Sequence, residues 1–125
     1  MTTDTCVPIS RLAECVTQAS EAATAAGMTH YIVGHVGDGN FHLAYLVDPA
    51  IPAERELAEK LNRELVQRAL DMDGTCSGEH GIGLHKMDFL VTEAGDGAID
   101  MMRTLKRALD PKNILNPGKI FTLRP

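Results

Sequence analysis

Helical and extended hydrophobic rhythms alternate along this chain. Residues 4–9 are short and β-leaning, and Ser10 stands where an N-cap belongs, ahead of a helical segment that stops at Gly27. Residues 30–36 and 41–47 read as strands. They are joined through Gly37-Asp38-Gly39-Asn40, in which Asp38-Gly39 is a two-residue hairpin signal because both central positions tolerate positive φ. Asp48-Pro49 ends the second strand, and Pro52 opens a segment in which Ala58, Leu61, Leu65 and Ala69 recur at helical spacing. Residues 73–83 carry four glycines in eleven positions, too many for a helix interior; they read as a short strand at 75–77 followed by a functional loop. Residues 96–109 place Ile99, Met102 and Leu105 on one helical face, with Lys106 and Arg107 favouring the dipole in the last turn and Pro111 beyond it. The tail holds an Asn-Pro-Gly turn and a short apolar strand within 114–121.

The order strand, helix, hairpin, helix, strand predicts an α+β fold, a ferredoxin-like βαββαβ sandwich with a helical C-terminal extension. A length of 125 residues at 44% hydrophobic composition fits one domain over 1–125. The net charge of -5 offers no basic surface for a phosphate backbone, so nucleic acid is excluded as an expected partner. No apolar run approaches the roughly 20 residues of a membrane span, and the first residues lack the basic-then-apolar order of a signal peptide; the expectation is a soluble, cytoplasmic chain without a transmembrane segment. The three cysteines, Cys6, Cys15 and Cys76, show no CxxC spacing and read as reduced thiols. With 4% aromatic residues and no Trp, a planar cofactor needs walls from elsewhere.

Two of the five histidines frame the predicted turn, in His35-Val36-Gly37-Asp38-Gly39-Asn40-Phe41-His42. With Asp38-Gly39 at the turn, His35 opposes His42 on one face, with Cβ atoms about 4.5 to 5.5 Å apart, close enough to share a metal. Ordinary packed or solvated strand histidines give the same pattern. The glycine-rich loop adds Glu79 and His80, and two histidines with one carboxylate leave coordination positions open for a substrate oxygen. One allocation makes Glu79 a ligand and His80, with an unperturbed pKa of about 6.5, a proton acceptor; spacing alone does not decide between them. His30 and His85 have no ligand-like partner in sequence and read as surface or packing residues, Cys76 as a small buried thiol and Asp38 as a turn residue. Lys86 and Lys119 could meet phosphates or a substrate carboxylate, although most lysines are simply solvated.

The motifs HVGDGNFH, GTCSGEHGIGLHK and LDPKNILNPGKIF, in this order, together with the opening TDTCVPISRL, resemble the C-terminal part of FAD-linked oxidases of the vanillyl-alcohol oxidase superfamily. That family includes D-lactate dehydrogenases of the cytochrome type, the flavoprotein subunit of glycolate oxidase and D-2-hydroxyglutarate dehydrogenases. The resemblance implies FAD-dependent oxidation of a small D-2-hydroxy acid to a 2-oxo acid. It implies a divalent metal, zinc or manganese, on His35, His42 and Glu79, and His80 as catalytic base. It also puts Asn40 near the substrate, and Asn116 and Lys119 near the flavin. Where the family often has an asparagine two residues after the second histidine, this chain has Ala44, a departure that bears on substrates with a second carboxylate.

Family enzymes carry an N-terminal FAD-binding domain and a first part of the substrate domain, which this sequence does not contain. The expectation is therefore a C-terminal fragment that supplies the metal and base half of a site and is inactive alone, with the FAD-binding domain as its partner and an electron acceptor the sequence does not identify. The competing reading is a non-catalytic metal-binding or assembly module. A sheet built to pair with absent strands exposes an edge, which predicts self-association.

Overall fold

The structure is a computed structural model, and it describes residues 1–123. The chain falls into two compact units, Met1–His80 and Gly81–Pro125. No helix among the described residues is long and apolar enough to cross a membrane.

The first unit contains β1 (Thr5–Cys6), α1 (Ile9–Ala25), β2 (His30–His35), β3 (Asn40–Tyr45) and α2 (Pro52–Asp71). The strands form an antiparallel sheet in the order β1-β3-β2. The fourth strand expected at 75–77 is reduced to one bridge, in which Thr75 and Cys6 exchange both backbone hydrogen bonds. The α+β sandwich is thus present with its last strand abbreviated. Along β3, alternation sends Phe41, Leu43 and Tyr45 into a core shared with Leu12, Cys15, Ala19 and Ala23 of α1 and Ala58, Leu61, Leu65 and Ala69 of α2. Burial pushes the Tyr45 phenol up to about 12, so it stays protonated.

Two local expectations are corrected. Ser10 lies inside α1, because Pro8 sets the turn into the helix and Arg11 N–H already donates to its carbonyl at 2.7 Å; no side chain caps this end. The hairpin loop is longer than two residues: Val36–Asp38 forms a 3-10 turn closed by Gly39 at φ 75°. His35 therefore opposes Asn40, and His42 opposes Val33. The loop is drawn onto the β1–α1 connection, where Val7 N–H donates to the Gly39 carbonyl at 3.0 Å and a Cβ on Gly39 would stand 2.1 Å from the Val7 oxygen.

The second unit contains α3 (Met87–Leu109), interrupted at Gly95 (φ 78°, ψ 160°). The helix expected over 96–109 is its second segment. The first segment, residues 87–94, has Phe89 as its buried residue and is too short before Gly95 for a helical period to stand out in the sequence. The tail strand expected within 114–121 is absent among the described residues; Asn113, Asn116 and Ile120 take positive φ, which extended pairing does not allow. Instead the Asp110 carboxylate gathers the tail, accepting the Ile114 and Leu115 N–H groups at 3.0 and 2.9 Å together with the Lys106 ammonium. The buried Arg103 donates to the Thr122 carbonyl at 2.8 Å.

The Lys106 hydrogen bond, reinforced by the two backbone N–H groups, holds the Asp110 carboxyl at about 2, below its ordinary 3.8. Because the folded value is the lower one, this contribution to stability is complete above the ordinary value and disappears as pH falls through about 2. Lys106→Met should raise the Asp110 pKa toward the ordinary carboxylate range. The Ile114 and Leu115 amide resonances should then begin to shift near pH 4 rather than near pH 2, as followed by NMR titration.

Candidate metal and proton-transfer site

The site is assembled from the short segment that enters β1. Asp4 is almost fully buried, with its side chain 1% exposed. A buried carboxylate is costly unless donors surround it, and here they do. Asp4 Oδ1 accepts from Asn40 Nδ2 at 2.9 Å and from Glu79 N–H at 3.2 Å. Oδ2 accepts from Ser77 Oγ at 2.9 Å and from the backbone N–H groups of Gly78 and His80 at 3.0 and 3.1 Å. Residues 77–80 therefore wrap a single charge. Gly78 is required by this approach, since a Cβ there would lie 1.8 Å from Asn40 Nδ2.

His42 is fixed by the same segment. Its Nδ1 donates to the Thr3 carbonyl at 2.8 Å, since a carbonyl can only accept, and this leaves Nε2 bare in the neutral ring. That Nε2 faces Glu79 Oε1 at 3.1 Å, and His35 Nε2 lies 3.5 Å from Glu79 Oε2. The three ligand atoms lie within 4.8 Å of one another. His35 and His42 are diagonal rather than opposed, with ring centroids 6.3 Å apart and planes at 89°. A register change of two residues preserves the face of every side chain, which is why the two rings still meet. His80 stacks on His42 at 5.0 Å and 11°, with Nε2 3.7 Å from Glu79 Oε1.

The donor set suits a divalent cation. A bare imidazole nitrogen and a carboxylate oxygen at 3.1 Å are two acceptors facing each other, and either a proton on Nε2 or a cation between them relieves the contact. Two imidazole nitrogens with one carboxylate oxygen are ligands that zinc and manganese accept. Asp4, His42 and His80 also bring ligand-type atoms together. The Asp4 oxygens are already committed to donors and His42 Nδ1 to Thr3, so that second group has little lone-pair capacity for an ion. Cys6 contributes no thiolate: burial first, then Asp38 and Asp4, push its pKa up, and its Sγ donates to the Asp38 carbonyl at 3.2 Å.

Asn40 is buried in the same network. Its Nδ2 donates to Asp4 and to the Thr5 carbonyl, while Oδ1 is buried without a hydrogen-bond partner among the described residues. Asn116 and Lys119 belong to the second unit, Asn116 in an exposed turn at φ 46° and Lys119 half-buried. His30 is fully engaged, donating from Nδ1 to the Met28 carbonyl and accepting at Nε2 from Ser20. His85 is exposed in the second unit. The residues that the sequence reading overlooked are Thr3 and Asp4. No periodicity marks them, and Asp4 meets its loop partners 73 to 76 positions away.

A family profile described as FAD linked oxidases, C-terminal domain, matches residues 1–120. The chain is 45% identical over 121 residues to "D-lactate dehydrogenase (cytochrome), mitochondrial" of Arabidopsis thaliana, covering 97% of this chain and 21% of that protein. It is 47% identical over 121 residues to "Probable D-lactate dehydrogenase, mitochondrial" of Danio rerio, covering 97% and 24%. With "Glycolate oxidase subunit GlcD" of Bacillus subtilis the identity is 38% over 118 residues, covering 94% and 25%. The chain thus spans between about a fifth and a quarter of the length of these relatives.

Two outcomes check this geometry. In ¹⁵N–¹H spectra, the neutral His42 ring should carry its proton on Nδ1; an Nε2–H tautomer would contradict the Thr3 hydrogen bond. Gly78→Ala should destabilise the chain by about 1 to 3 kcal/mol in urea unfolding, because the new methyl must displace the Asn40 amide or the loop.

Proposed function

This chain belongs to the family of FAD-linked oxidase C-terminal domains, and from that premise we propose that it supplies the metal-ligand and proton-transfer half of a flavin-dependent D-2-hydroxy-acid dehydrogenase, of the D-lactate or glycolate type. The observation that carries the reading is the convergence of His35 Nε2, His42 Nε2 and the Glu79 carboxylate, with the His42 lone pair freed by Thr3.

In this reading His35, His42 and Glu79 hold zinc or manganese. Such an ion supplies Lewis acidity that lowers the cost of deprotonating a 2-hydroxyl group. His80 is the base: its ring is half exposed, stacked on the His42 ligand, and its own backbone N–H is held by Asp4. It would take the proton from the hydroxyl oxygen, and FAD, when bound, would supply the acceptor for the hydride of the carbon bearing that oxygen, the balance for a 2-oxo acid product. Asn40 would lie beside the substrate, but its amide nitrogen is occupied and its Oδ1 is buried, so in this conformation it offers substrate no exposed polar atom. Asn116 and Lys119 would give point contacts to a polar edge of the flavin rather than enclose it, so the FAD-binding domain must supply the cofactor's main site. The chain alone would be inactive.

The open edge of β2 fits self-association, because Tyr31 and Val33 are 60% and 58% exposed on a strand paired on one side. Cys6 and Cys15, which form no disulfide among the described residues, fit a reducing compartment, which we take to be the cytoplasm.

Elemental mass spectrometry on the purified chain should find about one equivalent of zinc or manganese, lost from the His35→Ala, His42→Ala double variant. Retention of the metal by that variant would contradict the ligand assignment. Stoichiometric FAD together with dye-coupled D-lactate oxidation by this chain alone would contradict the division of labour.

A further inference from the structure

We infer that Asp4 is a positioning residue for the metal loop, acting through the backbone of residues 78–80 and resting on the metal reading above. Asp4 carboxylate oxygens take the N–H groups of three consecutive residues, Gly78, Glu79 and His80, and the Ser77 hydroxyl. Three successive amides directed at one charge fix the backbone of a segment flanked by glycines, which would otherwise sample many conformations. That fixed backbone delivers the Glu79 carboxylate to both imidazoles and the His80 ring onto His42.

The coupling runs to the other ligand as well. Thr3, the preceding residue, accepts the His42 Nδ1 proton, and Asp4 Oδ1 lies 3.9 Å from that same nitrogen. Two adjacent residues therefore set the free nitrogen of one ligand and the location of another, although Asp4 and Glu79 stand 75 positions apart. Asn40, held by Asp4 at 2.9 Å, closes the arrangement from β3.

The test is a double-variant cycle on the chain, with Co²⁺ as probe, read by both affinity and visible absorption. Asp4→Asn keeps the side-chain shape but replaces one acceptor oxygen with a donor, so at least one loop amide loses its partner. It should weaken Co²⁺ binding about 10- to 100-fold, the range typical of groups that orient ligands. The bound ion should then show the spectrum of Glu79→Ala, and the Asp4→Asn, Glu79→Ala double variant should bind no more weakly than Glu79→Ala alone. A thermal melt accompanies each variant. Should Asp4→Asn not fold, Ser77→Ala, which removes one donor and keeps the charge, replaces it in the cycle with the same expectation of non-additivity. Additive losses, or a wild-type Co²⁺ spectrum in the loop-anchor variant, would overturn the role given to Asp4 while leaving the ligands intact. Failure of the wild-type chain to bind Co²⁺ would overturn the metal reading and this inference with it.

Discussion

A carboxylate with 1% of its side chain exposed can remain charged only if the fold surrounds it with donors, and satisfying Asp4 is the constraint from which the candidate site follows. The donors come from β3 through Asn40 and from the loop after α2 through Ser77, Gly78, Glu79 and His80. Meeting that requirement brings the distant loop to the sheet beside His42. The same contact explains why the loop needs glycine at 78, where any side chain would occupy the space of the Asn40 amide.

The sheet supplies the rigid side of the arrangement. β3 is buried on both faces at its start, with Phe41 and Leu43 in the apolar core and Asn40 and His42 toward Asp4 and Thr3. Helices α1 and α2 hold the first set through Leu12, Cys15, Leu61 and Leu65, so a shift of the strand would disturb packing before it disturbed the site. A site mounted on a packed strand is more tightly placed than one mounted on a loop alone. His35 is the exception: it sits at the end of the open edge strand, and its side chain is 61% exposed. Of the three candidate ligands it is therefore the freest to adjust to an ion.

The sequence made the α+β order legible because its signals are local. Ala58, Leu61, Leu65 and Ala69 report a helix by spacing, and Gly27, Gly39 and Pro52 mark turns and starts. It also made His35, His42 and Glu79 legible as a group, for a forgiving reason. The loop is longer than a two-residue turn, so the register differs by two, and in a pleated strand that difference moves neither histidine to the other face. A difference of one would have separated them. The N-cap at Ser10 and the strand in the tail were misjudged because Pro8 and the positive φ angles of Asn113, Asn116 and Ile120 override local preference. Asp4 was not legible at all. Its partners are long-range and mostly backbone amides, which leave no residue-type pattern to read.

Amide hydrogen exchange at Gly78, Glu79 and His80 tests the central claim most directly, because it needs neither metal nor flavin. If a buried carboxylate holds this loop, those three amides should exchange at least about ten-fold more slowly than a free chain of the same sequence, despite lying outside helix and strand. Exchange at the free-chain rate, with the amides of α1 and α2 still protected, would mean that Asp4 does not organise the loop and that the site has some other foundation.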